Sequence, residues 1–139
     1  MAEAGAGYSG TPLARKLGLK AGQRVLLVSA PEDYAALVAP LPPDLRFVAR
    51  ASATVDLVHA FVTERGELAR LLARLRRTLG PDAAVWVSWP KKSSRVPSTV
   101  TEDTIRELAL PLGFVDIKVC AVSDVWSGLK LVLRKALRP

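Results

Sequence analysis

Short apolar runs alternate with helix-length segments along this chain, and that alternation constrains the fold more than any other feature. The segment 64–79 has leucines at helical spacing and ends at Gly80-Pro81. Strands that alternate with helices pack as a parallel sheet with helices on both faces. The sequence therefore predicts a three-layer α/β sandwich whose first four strands lie at 24–29, 46–50, 56–62 and 84–89.

The last two predicted strands, 114–122 and 126–134, break this pattern because the loop between them is very short. A loop of three to five residues cannot make a parallel crossover, so the final strand must run antiparallel to the one before it. We expect a mostly parallel sheet of about six strands with an antiparallel C-terminal strand. It would form one domain spanning residues 1–139, with a flexible lead at 1–7.

The register of this closing pair decides which charges face each other. Side chains alternate along a strand, so only odd-length loops pair the apolar faces of the two strands. A three-residue loop places Lys118 opposite Lys130, whereas a five-residue loop places Asp116 there. We favour the shorter loop because it leaves fewer unpaired backbone groups, and it makes Lys118 and Lys130 a second candidate anion site. The apolar face of the first strand is expected to carry Val115, Ile117, Val119 and Ala121.

Three further helices are indicated by their start and stop signals. Thr11 and Pro12 can begin a helix that Gly18 ends. The run Ser29-Ala30-Pro31-Glu32 matches a capping box that opens a helix through about Val38. Thr101 can cap a helix at 102–110.

Charge and composition narrow the range of binding partners that we expect. The net charge is +7, which favours an anionic small molecule, with a protein partner as the other option. Nucleic acid is an alternative that we do not favour, since aromatic residues are only 6% of the chain and the basic residues are scattered. No membrane span or signal peptide is evident, and a single cysteine allows no internal disulfide, so we expect a cytoplasmic protein. The sequence does not indicate an oligomeric state.

Several runs of residues resemble known protein families. The runs Tyr8-Ser-Gly-Thr-Pro-Leu13, Trp89-Pro-Lys91 and Trp126-Ser-Gly-Leu129 resemble a bacterial family of uncharacterised proteins, domain of unknown function 3052, which supplies domain boundaries and no chemistry. The stretch from Asp56 to Lys91 is similar, more distantly, to the Rossmann-like fold of class I methyltransferases. That second resemblance implies a fold and not an activity.

The turn after the first strand argues against a nucleotide cofactor. Rossmann folds that bind dinucleotides need glycines there so that the backbone can approach phosphates, and a methyltransferase likewise needs small residues. Here the turn at 29–33 has no glycine, Pro31 lacks an N–H, and Glu32 and Asp33 would repel a phosphate. We therefore expect no cofactor, neither a nicotinamide dinucleotide nor the methyl donor.

Metal and nucleophile chemistry are not indicated either. His59 stands alone inside a strand, which is typical of a hydrogen-bonded core histidine, and we expect no metal site. Cys120 also lies mid-strand and is interpreted as a buried small hydrophobe. Arg70, Arg74 and Arg77 form a stripe opposite the leucines, interpreted as a solvated helix face. The sequence names no catalytic residue.

The remaining candidate site is geometric, because ligands of open α/β sheets bind beyond the carboxyl ends of the strands. Two Trp rings beside basic side chains could hold a planar or anionic ligand in one pocket. The predicted ligand-binding residues are Ser29, Trp89, Lys91, Lys92, Ser94, Arg95, Trp126 and Ser127, with Tyr8, Ser9 and Thr11 as a lid over that edge.

These features favour a non-catalytic or cryptic small-molecule, anion-binding or regulatory domain on a methyltransferase-like fold that lacks the cofactor loop. Two alternatives stay open. One is an enzyme that acts on an anionic metabolite at the carboxyl edge, and the other is a nucleic-acid-associated regulator that uses the basic surface.

Overall fold

One six-stranded sheet organises the protein, and the computed structural model describes it over residues 10–139. Its strands are β1 (Arg24–Val28), β2 (Arg46–Val48), β3 (Leu57–Phe61), β4 (Ala84–Pro90), β5 (Phe114–Ala121) and β6 (Trp126–Leu133). Their order across the sheet is β2-β1-β3-β4-β6-β5. The first four strands are parallel, and β6 runs antiparallel to both of its neighbours. The predicted fold class is confirmed.

Helices cover both faces of this sheet. They are α1 (Leu13–Leu17), α2 (Tyr34–Val38), α3 (Arg65–Thr78) and α4 (Glu102–Ala109). Residues of α3 and α4 share one buried cluster with one face of the sheet, and residues of α1 and α2 share a second cluster with the other face. We call these the α3–α4 face and the α1–α2 face. Every residue of β3, at the centre of the sheet, is buried.

Local sequence explains the start of α4 and the end of α1. In α4 the Thr101 hydroxyl accepts a hydrogen bond from the Thr104 amide, and the Thr104 hydroxyl accepts one from the Thr101 amide, which is a capping box. The helix α1 ends at Gly18 in a left-handed conformation, as predicted. The predicted Thr11 cap is wrong, because α1 begins at Leu13 after Pro12 and has no side-chain cap.

The capping box predicted at 29–32 is wrong. Ser29 directly follows β1 and has a φ of 56°, and α2 begins only at Tyr34, without a side-chain cap. The Tyr34 amide instead donates to the Pro31 carbonyl in a turn that precedes the helix. A capping side chain must lie next to the first helical turn, and this turn separates Ser29 from it.

The closing hairpin has the predicted three-residue loop, Ser123 to Val125, and Lys118 lies directly opposite Lys130. The prediction that alternate residues from Val115 to Ala121 share one face is wrong, because the register shifts between Asp116 and Lys118. An extra residue in a strand is left unpaired and flips the side chains that precede it. Val115 therefore lies on the opposite face from Val119, and Ile117 at the shift is 57% exposed.

The connection from β2 to β3 helps to cover the α3–α4 face of the sheet. Residues 49–56 make this parallel crossover without a helix, although such crossovers usually contain one. The connection passes over the α3–α4 face, because Val55 is buried in that face's cluster. The connection and α3 lie side by side over β1 and leave a groove between them. Within residues 10–139 no helix is long and apolar enough to cross a membrane.

Candidate functional site

The carboxyl ends of β1 and β3 meet where the direction of strand order changes. From β1 the chain goes to β2 on one side, and β3 lies on the other side of β1. Open α/β sheets bind ligands in the crevice at such a switch point. Two adjoining cavities lie there on the α3–α4 face, and both are lined by Val28, Ser29 and Arg74.

The larger cavity is a groove of about 450 Å³ that follows β1. We call it the arginine groove. Its floor is the end of β1, one wall is the crossover segment 49–51, and the other wall is α3. Its lining residues are Leu26, Leu27, Val28, Ser29, Ala49, Arg50, Ala51, Leu71, Arg74, Leu75 and Thr78. Arg50 and Arg74 thus enter it from opposite walls.

The charge in this groove is not compensated by the described part of the protein. Neither the Arg50 nor the Arg74 guanidinium forms an ion pair or side-chain hydrogen bond with any residue of 10–139. None of the groove's lining residues is acidic. The smaller cavity, of about 200 Å³, continues the groove outward and adds Arg70 and the carboxylate of Glu67. An anion is therefore attracted most strongly to the inner part, between Arg50 and Arg74.

Ser29 is the one predicted ligand-binding residue that lines the arginine groove. Ser29 follows β1, and Lys91 follows β4. One strand, β3, lies between β1 and β4 in the sheet. Neighbouring strands are about 4.8 Å apart, so about 10 Å separates the two strand ends. The structure therefore places Ser29 in a different part of the carboxyl edge from Lys91 and Lys92.

The basic loop after β4 lies beside the β5–β6 turn. The Lys91 amide donates to the Val125 carbonyl at 2.8 Å, and the Ser94 hydroxyl donates to the Lys91 carbonyl at 2.6 Å. Residues Lys92–Ser94 form one 3-10 turn that Arg95 ends with a φ of 61°. Ser94 thus stabilises the loop to which it belongs, while the Lys92 and Arg95 side chains are exposed.

The prediction that Trp89 and Trp126 line one pocket is wrong. The two residues do lie at the same edge, since Trp89 pairs with Ser127 and Pro90 pairs with Trp126. Side chains alternate between faces along a strand, so Trp126 takes the face of Pro90 and not that of Trp89. Trp89 is buried in the α3–α4 cluster, whereas Trp126 packs on the α1–α2 face against Phe61.

A buried polar chain crosses the α1–α2 face. The Tyr34 hydroxyl lies 3.0 Å from His59 Nδ1, and His59 Nε2 lies 2.7 Å from the Ser88 hydroxyl. His59 and Ser88 are both 0% exposed, and burial lowers the pKa of His59 to about 3. The predicted hydrogen-bonded core histidine is confirmed. Its partners Tyr34 and Ser88 were missed, because no sequence spacing relates residues on β3, β4 and a helix.

Of the two facing lysines of the closing hairpin, Lys118 lines a second groove, on the α1–α2 face, and Lys130 lies beside it. Lys118 Nζ donates to the Lys16 carbonyl at the end of α1, at 3.0 Å. Lys130 Nζ lies 5.9 Å from the centre of the Trp86 ring. Burial lowers the pKa of Lys130, and the charges of Lys118 and Lys20 lower it further. Thr11, one of the predicted lid residues, lines this groove, whereas Tyr8 and Ser9 lie outside the described residues.

Cys120 lies in the same groove and is half-buried against the α1–α2 cluster, whereas a buried small hydrophobe was predicted. Burial raises the pKa of its thiol, against the opposing effect of Lys118 and Lys16. In the part of the chain that the structure describes, no three His, Cys, Asp or Glu side chains lie close enough together to hold a metal ion.

Solved structures share this fold at low sequence identity. A SAM-dependent methyltransferase from Aquifex aeolicus is 16% identical, with a TM-score of 0.60 over 86% of each chain. Fibrillarin from Aeropyrum pernix, solved with natively bound S-adenosyl-L-methionine, is 13% identical, with a TM-score of 0.55 over 91% of this chain and 70% of that one. TrmN from Thermus thermophilus is 15% identical at a TM-score of 0.54, and this chain spans 47% of its length.

No family model and no curated protein sequence matches the chain, so the resemblance to the uncharacterised bacterial family is not confirmed. Identities this low establish a common architecture and nothing about chemistry. The protein therefore has a methyltransferase-like α/β fold, in agreement with the more distant of the two sequence resemblances.

Proposed function

We propose that this protein is a non-catalytic, anion-binding regulatory domain, and that the arginine groove holds the anion. One observation carries the proposal: Arg50 and Arg74 line a single groove from opposite walls, with no acidic residue in its lining. Guanidinium groups present planar sets of donors that match carboxylate and phosphate oxygens. Both arginines lack an ionic partner among residues 10–139, so an anion in the groove is attracted by both charges.

The apolar lining of the groove indicates what else the ligand carries. Val28 of the floor and Leu71 and Leu75 of the α3 wall supply apolar surface. Small-molecule sites combine such surface with a few placed polar groups, in cavities of roughly 300–1,000 Å³. The groove's volume of about 450 Å³ suits a small metabolite with a carboxylate or phosphate and an apolar portion.

The methyl donor named for the solved relatives does not fit this chain's residues. The turn after β1 lacks the glycines that let a cofactor's phosphates approach the backbone: Pro31 offers no N–H, and Glu32 and Asp33 are exposed there. Beyond the end of β2, where Rossmann folds place an acid for the ribose hydroxyls, this chain has Arg50. We therefore derive no methyl-transfer step.

The position of the buried polar chain supports a non-catalytic role. A serine hydrogen-bonded to a histidine is the arrangement of a nucleophile and its base. Here Ser88 and His59 are fully enclosed in the sheet, so no solute reaches the hydroxyl. The pair contributes to folding and offers nothing for a substrate.

The proposal is tested by thermal unfolding of the full chain with citrate and with inorganic phosphate, in buffer containing about 0.15 M NaCl. Ligand at about ten times its Kd stabilises by about 1.4 kcal/mol, which raises the Tm of a domain of this size by about 3–6 °C. The double variant Arg50→Gln and Arg74→Gln is expected to lose at least two-thirds of that rise. Arg77→Gln is the matched control, since Arg77 is exposed on the same helix and does not line the groove.

Two results would overturn the proposal. One is an equal Tm rise in the double variant and in the wild type. The other is a response to duplex DNA alone that disappears between about 50 and 200 mM salt, which would indicate phosphate-backbone binding and the nucleic-acid alternative instead.

A further inference from the structure

A second basic groove, separate from the arginine groove, lies on the α1–α2 face between α1 and β5. Its volume is about 600 Å³. We call it the lysine groove, and its lining residues are Thr11, Arg15, Lys16, Lys118, Val119, Cys120 and Ala121. The sheet separates it from the arginine groove, so the two sites can be altered independently.

Positive charge is concentrated at this groove. Lys130 lies directly across from Lys118, and Lys20 is close enough to influence Lys130. Like charges directly opposite on neighbouring strands destabilise a sheet by some tenths of a kcal/mol. Asp116, the acid of the same hairpin, does not neutralise them, because it faces α4 and binds Arg106 at 3.0 Å.

The end of α1 accounts for only part of this arrangement. A helix C-terminus attracts cations, and Lys118 donates to the Lys16 carbonyl there. Two of the last carbonyls of the α1 segment already have other donors: Trp86 Nε1 donates to Leu17 at 2.7 Å, and Gln23 Nε2 donates to Gly18 at 3.3 Å. An ammonium has three donors, so the contact with Lys16 leaves two of those on Lys118. Lys130 Nζ lies over the Trp86 ring, whereas Arg15 forms no ion pair with any residue of 10–139.

We infer that the lysine groove binds the phosphate group of a small ligand through Lys118 and Arg15, which line it, while Lys130 adds positive charge from beside the groove. A phosphate carries close to two negative charges at neutral pH and several acceptor oxygens, which suits a cluster of cationic side chains. The groove's volume falls within the range for small-molecule sites. This inference does not rest on the proposed function, because it concerns the opposite face of the sheet.

Cys120 provides a reporter at the site. It is the single cysteine of the chain, it lines the groove, and it is half-buried. Alkylation by neutral iodoacetamide needs both access to the sulfur and the thiolate form. A phosphate bound beside Lys118 blocks access and cancels the positive charge that favours the thiolate, so both effects slow the reaction.

The test measures the alkylation rate of the full chain with and without inorganic phosphate or glycerol phosphate, with chloride at equal ionic strength as the reference. Saturable protection of at least threefold by either phosphate is the expected result. The tighter of the two shows whether the ligand is free phosphate or an ester. Lys118→Gln is expected to abolish the protection, because it removes the ammonium charge that holds the phosphate.

Two controls isolate the site. Lys135→Gln changes an exposed lysine near the C-terminus and should leave protection intact. Arg50→Gln with Arg74→Gln should leave it intact as well. Each rate is compared with and without phosphate in the same variant, so a changed thiol pKa does not confuse the result. No protection at tens of millimolar phosphate, or equal protection in the folded Lys118→Gln variant, overturns the inference.

Discussion

The Nε2 atom of His59 lies 2.7 Å from the hydroxyl of Ser88, across two neighbouring strands and with no access to solvent. Its other ring nitrogen lies 3.0 Å from the Tyr34 hydroxyl. Both nitrogens therefore have partners, and a neutral imidazole satisfies both bonds with one proton. The arrangement joins β3, β4 and α2 through a single side chain.

This burial predicts an acid-sensitive fold. The pKa of His59 is about 3 in the folded protein, below the ordinary value of 6.5, so the unfolded chain takes up the proton first as the pH falls. Stability is therefore fully present above pH 6.5 and is lost as the pH falls towards 3. We expect the free energy of unfolding to drop by about 2 kcal/mol from about pH 7 to about pH 5.

Urea unfolding at several pH values measures that drop. His59 is the chain's single histidine, and carboxylates stay largely ionised above about pH 5. The variant His59→Gln should therefore lose the slope in this window, whatever its own stability. The same slope in that variant would mean that another group titrates.

A second prediction concerns the close packing at Gly128. A Cβ at this position would lie 3.2 Å from both Trp86 Cε3 and Val122 Cγ2. Gly128→Ala should therefore overpack the α1–α2 face and destabilise the fold by about 1–3 kcal/mol in urea unfolding.

Gly66 provides the matched comparison for Gly128. It lies in the first turn of α3, where a new Cβ meets the Arg70 side chain at 3.4 Å, an ordinary contact. Gly66→Ala should stabilise by up to about 1 kcal/mol, because alanine favours helix more than glycine does. Equal effects of the two substitutions would contradict this account of Gly128.

The facing lysines of the hairpin make a third prediction. In phosphate-free buffer of low salt, Lys118→Glu should be more stable than Lys118→Gln by some tenths of a kcal/mol, because glutamate then faces Lys130. Both variants lose the ammonium contact with the Lys16 carbonyl, so that loss cancels in the comparison. The difference should shrink at about 1 M salt, where charges are screened within about 3 Å. A glutamine variant more stable than the glutamate variant would refute the charge argument.

The fourth prediction concerns cofactors. Isothermal titration of the full chain with S-adenosylmethionine and with a nicotinamide dinucleotide should show no binding below about millimolar, since the turn after β1 lacks the glycines that such cofactors need. A micromolar Kd for either would show that Ser29, with its φ of 56°, and the turn after it do the work of those glycines.

The elements that depend on local sequence pattern were predicted correctly. The leucine spacing of α3, the capping threonine of α4 and the left-handed Gly18 are each decided by neighbours in the chain. The short loop from Ser123 to Val125 also determined the antiparallel final strand and the pairing of Lys118 with Lys130. The start of α2 was mispredicted because a turn and a helix cap draw on the same residue types.

The candidate site depended on relations that no local pattern contains. Arg50 and Arg74 were each visible as basic residues, but they meet in one groove only because a helix-free crossover and α3 pack side by side over β1. Trp89 and Trp126 were placed at the right edge and assigned to one pocket. The two rings lie on opposite faces of the sheet because of the register of β4 against β6, which the sequence pattern did not reveal.

By itself the sequence determined the order of the elements, the direction of the last strand and the pairing of Lys118 with Lys130 across the hairpin. Those depend on periodicity, loop length and chain connectivity, which act over a few residues. The tertiary structure alone decided which distant side chains share a surface: the two arginines of the groove, the Tyr34–His59–Ser88 chain and the opposite faces of the tryptophans. Such meetings follow from inter-strand register and helix packing, and a single-residue shift, as at Ile117, moves side chains to the other face.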